Sequence, residues 1–456
     1  MASFPNTFLW GSSTNAQQFE GGRDEGGAGV SIADVRVIPG YKDADFSGFK
    51  VAADHYHHLE EDLDLYAGMG FTTYRFSMAW TRIFPQGDDA EPNAEGLAFY
   101  DRMVDGLIAR NIVPICTLYA YDLPQHLVDK YGGWGDRQIV DDYVRYVETV
   151  VEHFKGRIKY YVPFNEYNCI WLDRAYMTGT PVENDTDMLK VIHHMTMGYA
   201  HACEIVHSVD PEAKVGGNIA NNIAYPASPN PLDVQECEKH KYFMGWGFTD
   251  IECRGAYPKY FLNRFDVSQE TIDAIITAED KAYMARHIRP DFISLTYYFT
   301  TVIAQNEAGK NAMSTGHVNP FCDHTEWGWS IEPYGFYLML MEYWHRYQLP
   351  ILILENGLGH RDVLVGEDGE PRVHDQNRID FLRNHIRWMD KAVSDGVEMV
   401  GYCTWAAIDL YSTREGFGKR YGFVYVDADH GFRRIKKDSY AWYAKVIASN
   451  GADLAD

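Results

Sequence analysis

Short apolar segments rich in β-branched and aromatic residues alternate along the chain with longer amphipathic stretches. Eight of the short segments are predicted as strands: Phe8–Ser13, Thr73–Ala79, Val113–Tyr119, Tyr160–Asn165, Lys214–Ile219, Phe292–Tyr298, Ile351–Glu355 and Met399–Trp405. The longer stretches space their apolar residues as helices do, as in Asp54–Met69, Gly96–Arg110, Arg137–Phe154 and Asp375–Asp395. Strands that alternate with helices indicate βαβ units and parallel pairing.

Eight such units predict an α/β fold, a (β/α)8 TIM barrel whose long βα loops form the active-site face. A doubly wound open sheet is the alternative, and the lack of a glycine-rich phosphate loop between a strand and a helix disfavours it. No Pro/Ser linker, low-complexity tract or repeat divides the 456 residues. We therefore expect one barrel domain over residues 1–456, with two long loops at Asn221–Asp233 and Gln305–Asp323.

The net charge disfavours several classes of partner. Lys and Arg number 41 and Asp and Glu number 65, which gives a formal net charge of −24. Such a charge disfavours nucleic acid and anionic membranes as partners, although a local basic pocket could still hold one small phosphate. The 11 Trp, 32 Tyr and 23 Phe residues fit either a large core or a cleft for flat ligands such as sugar rings.

Cysteine usage and the amino-terminal sequence bear on the compartment. The seven Cys residues form no C-x-x-C pair, and this odd count suits a reducing cytosol better than a disulfide framework. Met1–Pro5 lacks the basic and apolar regions of a signal peptide. No run approaches the ~18 apolar residues of a membrane span. We expect a cytoplasmic protein that does not enter a membrane; whether it forms a homo-oligomer stays open.

Two predicted strands run directly into a glutamate. Tyr160–Glu166 ends in Asn-Glu, and Ile351–Gly357 carries Glu355 followed by Asn-Gly. The carboxyl ends of barrel strands converge on one face, so Glu166 and Glu355 can face each other across the barrel mouth. Glycoside hydrolysis needs such a pair, one acid and one nucleophile or base. The pattern by itself leaves open that both are solvated loop residues.

Several motifs together resemble glycoside hydrolase family 1, the β-glucosidase family, and they occur in order along the chain. The matching segments are Phe8–Ser12, Gln18–Gly22, Tyr74–Trp80, Asp122–Gln125, Phe164–Glu166 and Leu354–Gly357. The resemblance implies a retaining enzyme with Glu166 as acid/base and Glu355 as nucleophile. It also implies that Gln18, Asn165, Tyr298 and Trp405 bind the glycone and that Arg75 lies beside the nucleophile. There, the Arg75 cation would hold Glu355 ionised.

A local basic segment follows the last predicted strand, and it reads either as a solvated loop or as a phosphate site. Ser412, Lys419 and Tyr421 match the Ser…Lys-x-Tyr pattern of the 6-phospho-β-glycosidase branch of the family. A hydroxyl, an ammonium and a phenol can together bond the oxygens of one phosphate. The resemblance implies hydrolysis of 6-phospho-β-D-glucosides, such as cellobiose 6-phosphate and aryl 6-phosphoglucosides, to glucose 6-phosphate by double displacement.

Three positions depart from the branch pattern. Ala120 stands where a histidine is usual, and it cannot hydrogen bond a sugar hydroxyl. Thr296 stands where many relatives have Asn or Ser, and Thr413 where galacto-type members have Trp. The missing Trp favours a gluco substrate. A 6-phospho-β-galactosidase, a plain β-glucosidase and a phosphosugar-binding barrel without turnover remain the alternatives.

No cofactor or metal is expected, because carboxylate chemistry needs none. His55, His57 and His58, and the pair His193 and His194, suit packing and surface positions better than a metal site. Cys116, Cys169 and Cys403 lie in or near strand ends, but a catalytic thiol would need a histidine partner that sequence does not identify.

Overall fold

The computed structural model describes residues 4–35, 48–171, 177–180, 182–220, 223–310, 315–367 and 370–455. Eight parallel strands form a closed barrel in the order β1-β14-β11-β7-β5-β4-β3-β2. These strands are β1 (Leu9–Ser13), β2 (Thr73–Ser77), β3 (Val113–Thr117), β4 (Tyr160–Val162), β5 (Lys214–Ala220), β7 (Phe292–Tyr297), β11 (Ile351–Asn356) and β14 (Met399–Trp405). The pairing of β1 with both β14 and β2 closes the barrel, which confirms the predicted fold and rules out the open sheet.

The remaining strands form short pairs outside the barrel. They are β6 (Ala224–Pro226), β8 (Thr301–Ile303), β9 (Asp323–His324), β10 (Ser330–Ile331), β12 (Val365–Glu367), β13 (Glu370–Arg372), β15 (Val424–Asp427) and β16 (Arg433–Lys436). The predicted loop Asn221–Asp233 is therefore wrong as one extended segment. It contains β6, and a helix starts at Pro231 because proline suits the first helical position; residues 221–222 lie outside the described part. Residues 311–314 of the second predicted loop also lie outside it.

The four predicted amphipathic stretches are confirmed as α-helices whose bounds agree to within two residues at each end. The α-helices are Ala16–Phe19, Ile32–Val35, Gly48–Val51, His55–Gly68, Trp80–Ile83, Ala94–Ala109, Gln125–Tyr131, Gln138–His153, Asp185–Val209, Pro231–Lys241, Gly247–Arg254, Lys259–Leu262, Gln269–Ile275, Ala278–His287, Pro333–Tyr347, Gln376–Ser394 and Asp438–Ala448. Short 3-10 turns occupy Gly133–Gly135, Tyr167–Trp171 and Ala428–His430, and a π turn occupies Tyr242–Trp246.

Some predicted strands extend a few residues past the strands in the structure, and the site residues lie near these ends. β3 ends at Thr117 and β4 at Val162, two and three residues before the predicted ends. After β4, Pro163 has no N–H to continue a ladder, and the backbone turns to a φ of +46° at Glu166. The backbone N–H of Glu166 donates instead to the carbonyl of Asn218 at 3.1 Å.

The barrel interior below these strand ends is filled with apolar side chains. A cluster from five strands consists of Ile115, Val162, Phe292, Leu352, Leu354 and Cys403, all fully buried. Ile115 is the register partner of Arg75 on the neighbouring strand, so the cluster lies on the same inner face as Arg75. The interior is thus a packed core that supports polar groups at its carboxyl end, as in other barrels of this type.

Candidate active site

Glu355 lies inside β11 near its carboxyl end, in a polar but closed environment. Its side chain is buried, and Arg75 Nη1 donates to Oε1 at 2.9 Å while the Tyr298 hydroxyl donates to Oε2 at 2.8 Å. Burial raises the pKa of Glu355, and the Arg75 cation and the Tyr298 hydroxyl oppose that rise. Both carboxylate oxygens are therefore held by donors, which fixes the orientation of the group.

Glu166 follows β4 and contacts a tyrosine from the loop after β3. The Tyr121 hydroxyl donates to Glu166 Oε2 at 2.8 Å. Burial, followed by the charge of Glu355, raises the pKa of Glu166 to about 7. The buried Arg75 cation forms an ion pair with Glu355 and so favours the ionised form of Glu355. When the two carboxyl groups hold one proton between them, that proton therefore resides on Glu166. This arrangement suits Glu166 as an acid and Glu355 as an ionised nucleophile.

Asn165 links the environments of the two carboxyl groups. Its Oδ1 accepts hydrogen bonds from Arg75 Nη2 and, at 2.9 Å, from Asn218 Nδ2. Its Nδ2 donates to the Tyr121 hydroxyl at 3.0 Å. Arg75 is itself fixed because its Nε donates to Thr117 Oγ1 at 2.8 Å. The asparagine is thus rigidly placed at the mouth, with three partners from neighbouring strand ends.

The other predicted glycone residues lie around the same mouth. Gln18 is buried in the helix after β1, and its Nε2 donates to the Tyr411 carbonyl at 3.1 Å. Trp405 is the last residue of β14 and is 5% exposed. Gly357, directly after β11, leaves space for it, since a Cβ there would lie 2.0 Å from the Trp405 carbonyl oxygen. The Tyr298 hydroxyl donates to Glu355, and the centroid of its ring lies 5.4 Å from the ring centroid of Trp329.

The three residues predicted to bind phosphate are all buried together after β14. Ser412 is 6%, Lys419 5% and Tyr421 8% exposed. A Cβ at Gly359, in the loop after β11, would lie 2.2 Å from Lys419 Cε and 3.0 Å from Tyr421 Cε1. The glycine therefore allows the loop that follows the nucleophile to pack directly against the lysine stem and the phenol ring.

The Lys419 ammonium lies against aromatic rings instead of a carboxylate. Its Nζ is 4.4 Å from the centroid of the Trp327 ring and 3.4 Å from that of Trp329. Within the described ranges it forms no ion pair. Burial lowers the pKa of Lys419 to about 7, a shift that Glu415 and Glu326 only partly oppose. A buried cation without a counter-charge is costly, so an anion that reached Lys419 would be stabilised there.

Other cations of the basic carboxyl-terminal segment are structural. Arg434 makes two 2.8 Å hydrogen bonds to Asp62, and Lys437 donates to Asp409 at 2.7 Å and also to Asp362. These side chains are occupied by buried carboxylates and cannot take an anion without breaking an ion pair. Lys419 therefore differs from Arg434 and Lys437, its buried neighbours in this segment.

The departures from the branch pattern are visible in the structure. Ala120 is buried, and its backbone N–H donates to Asp122 Oδ1 at 3.3 Å. The next residue, Tyr121, has a φ of +66°, which turns its side chain toward Glu166. Thr296 is buried at the carboxyl end of β7. The loop that lacks the usual histidine thus supplies a phenol to the acid/base candidate.

Sequence reasoning missed four residues that shape the site. Tyr121 and Asn218 contact the Asn165–Glu166 pair, and Trp327 and Trp329 line the lysine. Tyr121 and Asn218 were detectable in principle, because both lie at or just beyond the carboxyl end of a predicted strand. The tryptophans carried no such signal, since they belong to a loop between β9 and β10 whose path depends on the folded barrel.

The histidine and cysteine candidates are in structural settings. His55 Nδ1 lies 2.7 Å from Asp62 Oδ2, and His193 Nε2 lies 3.0 Å from Asp280 Oδ2. The described residues contain no cluster of three or more His, Cys, Asp or Glu side chains suited to a metal ion. Burial raises the pKa of the thiols of Cys116, Cys169 and Cys403, the opposite of what a reactive thiolate needs.

None of the described helices is long and apolar enough to span a lipid bilayer.

Comparison with known proteins agrees with the geometry. The family model "Glycosyl hydrolase family 1" matches residues 1–452. A phospho-cellobiase of Klebsiella oxytoca is 40% identical over 476 aligned residues, covering 100% of this chain and 100% of the relative. A 6-phospho-beta-glucosidase of Clostridium longisporum is 39% identical, covering 99% of this chain and 98% of the relative. The solved family 1 b-glucosidase from Thermotoga maritima is similar with a TM-score of 0.88 at 32% identity, covering 99% of both chains. The chain therefore belongs to glycosyl hydrolase family 1 and is a glycosidase, as its motifs predicted.

Proposed function

We propose that the protein is a retaining 6-phospho-β-glucosidase. It hydrolyses 6-phospho-β-D-glucosides, such as cellobiose 6-phosphate and aryl 6-phosphoglucosides, to glucose 6-phosphate and the aglycone. The observation that carries the proposal is the buried Lys419 ammonium, held on two indole rings beside Ser412 and Tyr421. The names of the two curated relatives, a phospho-cellobiase and a 6-phospho-beta-glucosidase, support the same substrate class.

The two glutamates perform a double displacement. The ionised Glu355 attacks the anomeric carbon, and the glycosidic bond breaks as Glu166 transfers its proton to the departing oxygen. The aglycone leaves, and a covalent glycosyl–Glu355 ester remains. Glu166, now a carboxylate, takes a proton from a water molecule whose oxygen attacks the same carbon and releases Glu355. Two inversions give net retention, and the raised pKa of Glu166 provides the acid that the first step needs.

The phosphate anchors the sugar far from the reacting carbon. Ser412, Lys419 and Tyr421 supply a hydroxyl, an ammonium and a phenol for its oxygens, while Gln18, Asn165, Tyr298 and Trp405 bind the ring. Two or three such bonds, each worth roughly 1.5–3 kcal/mol, predict a preference for the phosphorylated glycoside on the order of 10³-fold or more. Such binding energy from a remote group is available to orient the sugar for attack.

A panel of four nitrophenyl glycosides tests the proposal. It crosses the presence of the 6-phosphate with the gluco and galacto configurations, and kcat/KM is measured for each. We expect the 6-phospho-glucoside to be the best substrate. A faster galacto compound would indicate a 6-phospho-β-galactosidase, a faster plain glucoside a β-glucosidase, and tight binding without turnover a sugar-binding barrel. NMR of the first-formed product tests retention, since the β anomer must appear before mutarotation.

We further propose that residues 1–456 act as one domain in the cytoplasm. A β-glycoside that already carries a 6-phosphate is supplied by phosphorylation during uptake, as a phosphotransferase-type transporter performs. Fractionation of cells that produce the native protein, with the activity assayed in each fraction, tests the compartment. Recovery of the activity outside the cytoplasm would contradict this proposal and leave the substrate assignment intact.

A further inference from the structure

Arg361 lies in the loop after β11, and this loop pairs with the loop that carries Lys419. The His360 N–H donates to the Arg420 carbonyl at 2.9 Å, and the Arg420 N–H donates to the His360 carbonyl at 2.9 Å. This exchange of two bonds is an antiparallel bridge, in which Arg361 and Lys419 are the next pair of opposed residues. Because side chains alternate between faces, Arg361 shares the face of Lys419 and not that of Arg420.

The contacts of the neighbouring side chains agree with this alternation. His360 Nδ1 lies 3.1 Å from Asp362 Oδ1, two residues along the same chain. Arg420 Nη1 donates to the buried Asp409 at 2.9 Å. One face of the bridge thus carries ion pairs of the protein itself, and the other face carries Lys419 and the predicted phosphate site.

The indole of Trp327 contacts both cations. Its ring centroid is 4.4 Å from Lys419 Nζ and 5.5 Å from Arg361 Cζ. The two side chains differ in depth, since Lys419 is 5% exposed whereas the Arg361 side chain is 57% exposed. Lys419 therefore lies at the base of the site and Arg361 at its rim.

Arg361 has an exposed partner, Glu326, next to Trp327. Arg361 Nε donates to Glu326 Oε2 at 2.6 Å, and the Glu326 side chain is 42% exposed. An exposed ion pair contributes little to stability, unlike the buried pair of Arg434 and Asp62. In the part of the chain that the structure describes, Nη1 and Nη2 of Arg361 donate to no residue. This edge of the guanidinium has the paired donors that suit two oxygens of a phosphate.

The charge of the proposed substrate calls for a second cation. A phosphate monoester carries about −1.5 to −2 charges near neutral pH. Lys419 supplies at most one positive charge, and the hydroxyls of Ser412 and Tyr421 are neutral. Glu326 and Glu415 are close enough to act on Lys419, and both repel an incoming dianion. Lys419 alone therefore leaves part of the phosphate charge unbalanced.

We propose that Arg361 is a second cation of the phosphate site, and that its Nη1–Nη2 edge binds the outer oxygens of the substrate 6-phosphate. Lys419 then binds the phosphate from the buried side and Arg361 from the solvent side. Together the two cations favour a doubly charged group at carbon 6 over a singly charged one. The inference rests on the proposed function, since it concerns the phosphate of the same substrate.

Three nitrophenyl β-glucosides that differ in charge at carbon 6 test this role. They are the plain glucoside, its singly charged 6-sulfate and its 6-phosphate, and kcat/KM is measured at pH 7 for Arg361→Gln and the wild type. Coulomb energy is proportional to the charge of the ligand, and an exposed charged bond lies at the weak end of its range. We expect losses of ~10-fold on the 6-phosphate and ~3-fold on the 6-sulfate, and no loss on the plain glucoside. Equal losses on all three, or no loss on the 6-phosphate, would overturn the inference.

Two other arginines control for the loss of one positive charge. Arg110 pairs with the exposed Asp64 at 2.6 Å and directly precedes β3, so it lies at the opposite end of the barrel from the site. Arg110→Gln should leave all three values unchanged. Arg414 is near enough to lower the pKa of Lys419 but lies outside the bridge, and its substitution by Gln should cause smaller losses. If Arg414→Gln or Arg110→Gln reproduced the graded losses, general attraction would explain them and the contact proposed for Arg361 would be refuted.

Glu326→Gln separates the charge of the pair from its structural role. The glutamine keeps an acceptor for Arg361 Nε but removes the negative charge beside the phosphate. At about pH 6, where Lys419 stays mostly protonated, we expect kcat/KM on the 6-phosphate to rise by ~2–5-fold, the opposite of the effect of Arg361→Gln. A fall in both variants would show that the pair matters only because it joins two loops.

Failure of this inference is distinguishable from failure of the proposed function. If the wild type prefers the plain glucoside to the 6-phosphate, the proposed function fails and the inference fails with it. If the wild type prefers the 6-phosphate, and Lys419→Met loses this preference while Arg361→Gln keeps it in full, the proposed function stands and only the role of Arg361 is wrong.

Discussion

Replacement of Lys419 by methionine isolates the charge that would recognise the substrate phosphate. Methionine keeps an unbranched apolar stem against Trp327 and Trp329, while it removes the ammonium that lies 4.4 and 3.4 Å from their ring centroids. No ion pair of Lys419 is found in the described ranges, so the change strands no buried carboxylate. The fold should therefore tolerate it, and the thermal midpoint should remain close to that of the wild type.

The expected loss follows from a single charged hydrogen bond. Such a bond contributes roughly 1.5–3 kcal/mol net, and ~1.4 kcal/mol corresponds to tenfold. Lys419→Met should thus lower kcat/KM on nitrophenyl 6-phosphoglucoside by roughly 10–100-fold. The activity on the unphosphorylated glucoside should hardly change, because that substrate has no group for the charge to bind.

The lowered pKa of Lys419 adds a pH signature. With a pKa of about 7, half of the lysine is neutral at neutral pH, and a bound phosphate restores the proton. Above that pH the free enzyme must take up a proton to bind, so KM for the phosphorylated substrate should rise, approaching ~10-fold per pH unit. In Lys419→Met this rise should vanish.

The assay is steady-state kinetics of both proteins on both substrates between pH 6 and 9, with Lys419→Arg as a variant that keeps a cation. The arginine variant should retain more activity on the phosphorylated substrate than the methionine variant, without the rise in KM, since guanidinium does not titrate in this range. Equal losses on both glucosides in Lys419→Met would show that the lysine only supports the fold. A KM that does not depend on pH in the wild type would refute the titration argument.

Three further predictions concern the carboxyl groups. Glu355→Ala should abolish turnover, and external azide should restore it with an inverted glycosyl azide detectable by NMR; the absence of either effect would show that the nucleophile is misassigned. With a pKa of about 7, Glu166 loses its proton as pH rises, so kcat/KM should fall through that range, and Glu166→Gln should remove this limb and slow cellobiose 6-phosphate by ~10²–10⁴-fold. Arg434→Met should lower the free energy of unfolding by ~3–5 kcal/mol, because it leaves Asp62 buried without its cation. Arg434 holds the pKa of Asp62 below its usual value, so the pair stabilises the wild type fully above that usual value and progressively less as pH falls below it. Urea titration at pH 7 and pH 3 should therefore show a smaller effect of the substitution at the lower pH.

The barrel was predictable because the sequence pattern that indicates each strand and helix is local and recurs eight times. Eight apolar segments separated by amphipathic helices admit few arrangements, and the observed closure between β1 and β14 joins residues at the two ends of the chain. The ends of the strands were less predictable. Tyr119 and Phe164 lie just beyond the assigned ends of β3 and β4, although the Asn165 N–H still donates to the Tyr119 carbonyl at 2.8 Å. Their rings pack against Trp134 and Tyr143.

Placement at strand ends also indicated which site residues would lie close together. Arg75 and Glu355 come from strands distant in sequence and meet at 2.9 Å, as the family motifs implied. The roles of the basic residues were harder to predict, since the sequence shows which side chains are charged but not which groups they contact. Arg434 and Lys419 look alike in the printed chain, yet one is neutralised by Asp62 and the other lies on indole rings.

The polarity of the hydrogen-bond network is information that exists only in three dimensions. The sequence Asn165-Glu166 specifies an amide and a carboxyl, but it does not say which amide atom faces Tyr121 or which carboxyl oxygen carries the proton. Arg75 decides the first, because a group with donors alone fixes the atom that it contacts as the amide oxygen and so turns Asn165 Nδ2 toward the Tyr121 hydroxyl. The cation that holds Glu355 ionised thus also orders the donors around Glu166. A substitution of Arg75 should therefore disturb both carboxyl groups together, whereas Tyr121→Phe should disturb Glu166 and Asn165 and leave the pair of Arg75 and Glu355 in place.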